Sequence, residues 1–355
     1  MKIIFFTKYA RLGASSRYRA FQYLPSLAVA GIQPEVKPLF DDAYLARKYA
    51  IGRTPINELF RSYFRRLWAT FVVPRGSVVY VEYELLPYFP ALLEYLLVWR
   101  GCRFVVDYDD ALFHQYDNHS NRWIRRLLGG KIATVMRLAR TVVAGNSYLA
   151  DYARRAGASR VTVIPTVIDL QRYPVPALTK RTGSITIVWI GSPSTSKYLL
   201  EIVPALAEVC KSGQVKVRLI GSGNIDLPGV PVEHVPWCED TEVEAMQSSD
   251  IGIMPLPDEL WERGKCGFKL IQYMACGLPV VASPVGVNAD IIEPGVNGFL
   301  ASTHQEWVAA FQTLVSDSLL RERMGQAGRA KVEQNYCLQV TAPRLAKVLL
   351  NVTSS

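Results

Sequence analysis

The sequence predicts an α/β protein of two doubly wound, Rossmann-like domains, over residues 1–169 and 185–335, and three observations carry that prediction. Short apolar, β-branched runs recur along the chain, each followed by a glycine- or serine-rich loop and then a helical pattern, as in parallel strands joined by crossover helices. At 355 residues, half of them apolar, the chain exceeds one comfortable core and suits two. The proline-spaced stretch LQRYPVPALTKRTGS at 170–184 has no periodicity and reads as the linker between them.

In the first domain, Ile3 to Thr7 reads as a buried strand, and LGASSRYRAFQYLPSLAVAGI as a loop and an amphipathic helix ended by Gly31. Only Gly13 stands where a dinucleotide fingerprint needs three glycines, so that fingerprint is excluded. Strands follow at Val78 to Val81 and Arg103 to Asp107, with a proline-rich helical region from Leu85 to Trp99 between them. The second of these strands ends in DYDDALF, which sets Asp107, Asp109 and Asp110 at a strand's carboxyl edge, where open α/β sheets bind ligands. Three carboxylates so close need a cation or several donors nearby. A divalent metal site, substrate recognition and helix capping by Asp109 or Asp110 all fit that pattern. A basic helical segment from Asn121 to Arg140 comes next, then a strand at Thr141 to Ala144. Asn146 or Ser147 caps the following helix, and the strand VTVIPTVID closes the domain.

The second domain opens with ITIVWIGSPSTSKYLLEIVPALAEV, again strand, loop and helix; VKVRLIGSG, VPVEHVPW and DIGIMPLP continue the alternation. The stretch GKCGFKLIQYMACGLPVVASPVG, Gly264 to Gly286, reads as a loop, a helix over Phe268 to Cys276 and a buried strand over Val280 to Ser283. A helix start aims backbone N–H groups forward and suits an anion. Lys265 and Lys269 lie in that first turn, where cations oppose the helix dipole, so their placement asks for a negatively charged ligand such as a diphosphate. Solvated lysines on an ordinary αβ unit would give the same spacing. Two helices are expected over Thr303 to Asn335, and a last one, 338–355, returns to pack on the first domain.

Charge divides unevenly. Residues 1–169 hold 24 Lys and Arg against 13 Asp and Glu, while the whole chain carries a net +9. The segment Leu59 to Val73, LFRSYFRRLWATFVV, mixes Arg61, Arg65 and Arg66 with aromatics. Such a helix can lie in an anionic membrane surface or form a solvated face over an ordinary core contact; no nucleic-acid module accompanies it, so no nucleic-acid partner is expected. The six cysteines are scattered, without CxxC or histidine partners at ligand spacing, which argues against a zinc site or a disulfide framework and for reduced thiols. Met1 leads straight into a strand, and Leu85 to Trp99 is too short and too interrupted to span a bilayer. A cytoplasmic protein, peripheral at most to the inner membrane face, is the expectation.

The run QYMACGLPVVASPVG, followed by EPGVNGFL at Glu293 to Leu300, resembles the nucleotide-sugar-binding half of the family 4 retaining glycosyltransferases of the group 1 type. That resemblance implies the GT-B fold, two doubly wound domains facing across a cleft. It makes 1–169 the acceptor-binding domain and 185–335 the nucleotide-sugar-binding domain. It further implies sugar transfer from a nucleotide-diphosphate donor to a glycan or polyprenyl-diphosphate-linked acceptor, with retention, no metal and no cofactor beyond the donor.

By the same resemblance, Lys197, Lys269 and the amides of Gly267 and Phe268 would stabilise the departing phosphate, with Lys265 as a weaker member. The loop at Gly13 would reach toward the donor phosphates or the acceptor, with Arg17 and Arg19 as candidate phosphate contacts or else an ordinary surface helix start; Gly191 and Ser192 would border the diphosphate, Trp237 would stack on the base or pack in the core, and Asp107 or Asp109 would orient the acceptor hydroxyl. The pattern is departed from at both of the family's acids: Gln272 stands at the ribose-binding glutamate, and Gly264 at the first acid, with Glu262 two residues upstream. The family's arginine position is Ser192. A degenerate copy that binds sugar nucleotide or glycan as a partner subunit is the alternative. An epimerase of the same fold is disfavoured, because His114, His119, His234 and His304 do not cluster.

Overall fold

The structure, a computed structural model, describes residues 1–51, 56–175 and 183–352. The chain forms two compact units. The first comprises Met1–Thr166 together with Gly264–Cys266 and the C-terminal helix from Leu338; the second comprises Val167–Arg263 and Gly267–Cys337.

Six parallel strands form the sheet of the first unit: β1 (Lys2–Phe6), β2 (Gln33–Val36), β3 (Val78–Glu82), β4 (Arg103–Tyr108), β5 (Thr141–Ala144) and β6 (Val161–Val163). Their order is β2-β1-β3-β4-β5-β6. Phe5, Phe6, Val79, Val81, Phe104 and Val106 are fully or nearly fully buried in it. Strands apolar on both faces need helices on both faces, and the crossovers supply them.

The second sheet contains β7 (Ile185–Ile190), β8 (Val215–Ile220), β9 (Val232–Val235), β10 (Ile251–Met254), β11 (Val280–Ala282) and β12 (Gly298–Leu300). Its order is β12-β11-β10-β7-β8-β9, all parallel, which is the 3-2-1-4-5-6 winding of a dinucleotide-binding sheet. Trp189, Val217, Ile253, Trp307 and Phe311 belong to its core.

Prolines and glycines divide helices that periodicity alone joins. After β1 the expected single helix is a short one, Ala14–Arg19, a 3-10 turn at Phe21–Tyr23 and a second helix, Leu24–Val29. Pro25 lacks an N–H and fits only a helix's first turn, so the helix restarts there. The Lys197 segment behaves likewise, a 3-10 stretch at Ser196–Ile202 giving way to the helix Val203–Cys210, which has Pro204 in its first turn. Gly129 and Gly130 split the basic segment into Arg122–Leu128 and Lys131–Leu138. The strand in VTVIPTVID stops at Val163, ahead of Pro165, since proline cannot donate to a ladder.

Asn146 caps Ser147–Arg155, its side chain accepting from Leu149 N at 2.9 Å. Within the second unit, Thr303 and Glu306 form a capping box at the start of His304–Ser316, and Asp317 caps Ser318–Asn335. Within the first, the C-terminal helix Leu338–Asn351 lies against Leu24–Val29, with Tyr23 Oη and Thr341 Oγ1 2.9 Å apart. Of the expected linker, residues 176–182 lie outside the described residues, as do residues 353–355 of the expected last helix. No helix among the described residues is long and apolar enough to cross a membrane.

Candidate functional site

In doubly wound sheets ligands bind beyond the carboxyl ends of the strands where the winding reverses. In the second sheet that point lies between β7 and β10. There β7 is followed by Gly191, whose N–H donates to Ile220 O at 3.0 Å. Lys269 crosses this strand end: its Nζ sits 4.9 Å from the centroid of the Trp189 ring, and its Cε would lie 3.0 Å from a Cβ placed on Gly191. A side chain at 191 would collide with Trp189 and crowd the lysine, so this strand end must be glycine. Gly221, at the end of β8, has φ +73°, and a Cβ there would meet Gly191 O at 2.6 Å and Trp237 Cβ at 3.0 Å. Gly191, Gly221, Trp237 and Lys269 therefore converge.

Trp237 is 38% exposed and donates from Nε1 to Glu242 Oε2 at 2.7 Å. The helix Phe268–Ala275 starts from Gly267 at φ 63° and ψ 20°, a left-handed conformation that glycine adopts without steric penalty. A Cβ on Gly267 would also strike Ile291 Cδ1 at 2.4 Å. That abrupt start directs the first amides of the helix forward of it.

Lys197 is exposed on the 3-10 stretch, its Nζ 5.4 Å from the Tyr198 ring centroid. Tyr198 in turn donates from its hydroxyl to the buried Glu262. Ser192 pairs with Ser194 through their hydroxyls at 2.8 Å on the exposed loop. Gln272, expected at the ribose, is buried and donates from Nε2 to Tyr173 Oη at 3.0 Å. This contact draws its amide into the packing of the unit.

In the first sheet the reversal lies between β1 and β3. Ser15 Oγ donates to Glu82 Oε1 at 2.9 Å and lies 2.8 Å from Tyr83 Oη and 3.1 and 3.2 Å from the two oxygens of Asp109. Tyr83 also donates to Asp109, and holds φ 63°, rare for a residue with a side chain and worth roughly 1 to 3 kcal/mol of strain. Glu82 accepts from Ser16 Oγ at 2.6 Å and from Lys8 N at 2.9 Å. Burial pushes its carboxyl up to about 7 against those hydrogen bonds.

Asp107 does not face this cluster as an available acceptor. It is 2% exposed, its Oδ1 accepts from Arg19 Nε and Nη2 at 2.9 and 2.6 Å, and its Oδ2 accepts from Tyr80 Oη at 2.6 Å. The Asp107 carboxylate, expected to orient an acceptor hydroxyl, and the Arg19 guanidinium, expected at a phosphate, thus engage each other in the interior, while Asp109 lies with Ser15 and Tyr83. Helix capping by the aspartates is not found, because the next helix, His114–Asp117, is preceded by Phe113 and has no side-chain cap.

Lys265 lies in the first unit with its Nζ 4.0 Å from Asp110 Oδ1. Gly13 precedes the Ala14–Arg19 helix, and Arg17 is buried with its guanidinium 5.0 Å from the Tyr18 ring centroid. Ser15, Glu82 and Tyr83 escape a sequence reading. The one available signal is that VVYVE ends on an acid beside the first strand, which the strand order makes a ligand edge.

A Rossmann-type sheet with a glycine-bordered strand end, a lysine across it and a left-handed helix start places the chain in the doubly wound α/β class. Residues 184–317 match the family described as glycosyl transferases group 1. The GDP-mannose-dependent alpha-(1-6)-phosphatidylinositol dimannoside mannosyltransferase of Mycobacterium tuberculosis is 26% identical over 210 residues, 54% of this chain and 53% of that protein. The chain thus spans about half of that relative's length. Among solved structures, sucrose-phosphate synthase from Thermosynechococcus elongatus superposes with a TM-score of 0.73 at 15% identity, covering 100% of this chain and 99% of that one. Anabaena HepE in complex with UDP-glucose does so with a TM-score of 0.71 at 18% identity, covering 99% and 100%. The fold is GT-B, and the match to the group 1 glycosyl transferases lies in residues 184–317 of the second unit.

Proposed function

We propose that this protein transfers a sugar, with retention of configuration, from a nucleotide-diphosphate donor to a glycan or lipid-linked acceptor in the synthesis of a cell-surface polysaccharide or glycolipid. The observation that carries the reading is Lys269 laid across Gly191 at the strand reversal of a sheet within the segment that matches the group 1 family. Similarity to a phosphatidylinositol dimannoside mannosyltransferase and to a protein solved with UDP-glucose supports the classes of acceptor and donor.

In this reading the bond between the anomeric carbon and the phosphate oxygen breaks as the acceptor oxygen bonds to the same face of that carbon. The acceptor's proton passes to the leaving phosphate, so no protein nucleophile is needed. Lys269 and Lys197 neutralise the charge that grows on the phosphate oxygens, and the amides of Gly267 and Phe268 donate to it. Trp237 stacks on the base. In the first unit Asp109, held by Ser15 and Tyr83, accepts a hydrogen bond from the acceptor hydroxyl. No metal is required for charge neutralisation of this kind.

A thermal-shift screen against UDP-, GDP- and ADP-sugars, followed by turnover of whichever stabilises the protein, tests the proposal. A shift with one base class and transfer that survives chelator are expected. No shift with any of the three overturns it.

A further inference from the structure

The helix Ile56–Phe71 is oriented inside out. Its buried residues are Ser62, Arg66 and Thr70, a polar stripe, while Phe60, Phe64 and Trp68 on the opposite side are 71%, 70% and 61% exposed. The buried stripe is held by hydrogen bonds: Arg66 Nη2 donates to Thr7 O at 2.6 Å and Lys37 O at 3.0 Å, and Thr70 Oγ1 to Arg66 O at 2.8 Å. The outward aromatics are therefore fixed there by the satisfied polar contacts behind them. A helix facing water ordinarily shows the reverse arrangement.

A second helix extends the face. Leu92–Trp99 packs against the first, and its Leu92, Tyr95 and Trp99 are exposed, Trp99 to 75%. Arg100, next to Trp99, joins the two: its guanidinium carbon lies 5.9 Å from the Phe71 ring centroid, and its Nη2 donates to Val73 O at 2.7 Å. Charge across this region is mainly positive. From Ile56 to Val106 the acids are Glu58, which pairs with Arg47, and the buried Glu82, Glu84 and Glu94; Arg61, Arg75 and Arg103 are exposed, and the exposed Arg65 pairs with Asp41 at 3.3 Å.

We infer that these two helices form one membrane-docking face, whose aromatic side chains enter the headgroup and acyl boundary of an anionic bilayer while the flanking arginines pair with lipid phosphates. Fixed apolar side chains ringed by cations, with tryptophan and tyrosine among them, match the chemistry of that boundary. Within the two helices the acids are Glu94, which is buried, and Glu58, which pairs with Arg47, so neither sets an unpaired negative charge against an anionic surface. The inference deepens the lipid-linked reading of the acceptor and rests on it for its purpose; its evidence is the exposed face alone.

Vesicle co-sedimentation of the full chain tests it, with phosphatidylcholine vesicles alone and with phosphatidylglycerol added. The wild type is expected to bind the anionic vesicles in preference to the neutral ones. The double variant Phe64→Ser, Trp68→Ser should bind anionic vesicles at least about tenfold more weakly, and each of Arg61→Glu and Arg75→Glu about fivefold more weakly or worse. All four positions are exposed, so unchanged unfolding temperatures and an unchanged sugar-nucleotide thermal shift are expected. That shift reports on the transferase reading separately. Wild type that ignores anionic vesicles, or variants that bind as the wild type does, overturn the inference. So does light scattering that finds a dimer abolished by the double variant, which would assign the face to a second copy of the chain.

Discussion

Arg19 donates from both Nε and Nη2 to a single oxygen of Asp107, at 2.9 and 2.6 Å, and the two side chains are equally hidden from solvent. Tyr80 takes the other oxygen, and Arg19 Nη1 donates to Ile164 O at 2.8 Å, so the pair ties β4 to the helix after β1 and to the segment beyond β6. A carboxylate so enclosed holds the first unit together.

Removing one partner leaves a buried charge uncompensated, which costs about 3 to 5 kcal/mol. Asp107→Ala should lower stability by that order in urea denaturation, and Arg19→Met combined with Asp107→Leu should restore much of it. An Asp107→Ala protein of wild-type stability that no longer transfers sugar would return this residue to the reacting site.

Glu82 predicts a pH dependence of stability. Its folded value of about 7 lies above the ordinary 4.5, so the folded state holds a proton that the unfolded chain has released. The contribution is complete below about 4.5 and is lost as pH climbs toward 7, on the order of 3 kcal/mol in all. Urea midpoints measured at about pH 5 and about pH 8 should differ less in Glu82→Gln than in wild type. An identical difference in both would remove Glu82 as its source.

Lys269→Ala should cut transfer by roughly a hundredfold, the loss typical of one group aimed at developing charge, while leaving the unfolding temperature within a few degrees. Donor titration by thermal shift and steady-state kinetics check it. Unchanged turnover would take Lys269 out of the donor site.

Gly267→Ala combines a left-handed backbone with a Cβ that would sit 2.4 Å from Ile291 Cδ1. About 1 to 3 kcal/mol of destabilisation is expected, together with weaker donor binding as the helix start shifts. Equilibrium unfolding with and without donor separates the two effects. Wild-type stability in this variant would mean that the turn relaxes.

Much of the frame was legible in advance because it is written locally. The run Val280 to Ser283 announces β11, Gly267 and Gly277 bracket the helix between 268 and 275, and Asn146 stands where a cap is needed. The misread boundaries share one cause. Periodicity passes straight through Pro25, Pro204 and the Gly129–Gly130 pair, while the backbone cannot. Of the candidate residues in the second unit, Gly191, Trp237 and Lys269 could be picked out along the chain, and the sheet brings them together with Gly221. The site was poorly legible in the first unit, where Ser15 meets Glu82 and Asp109 across 67 and 94 residues.

By itself the sequence determined the alternation of strands and helices, the two-domain plan and the helix start that opens on Gly267, since strand period, turn chemistry and helix signals act over a few residues. Only the tertiary structure decided that Asp107 closes on Arg19, that Gln272 turns to Tyr173, and that Ile56–Phe71 hides its arginine and shows its aromatics. A helical pattern states which residues share a face and is silent on which face turns inward. That choice depends on whether distant carbonyls, here those of Thr7 and Lys37, lie where a guanidinium can reach them.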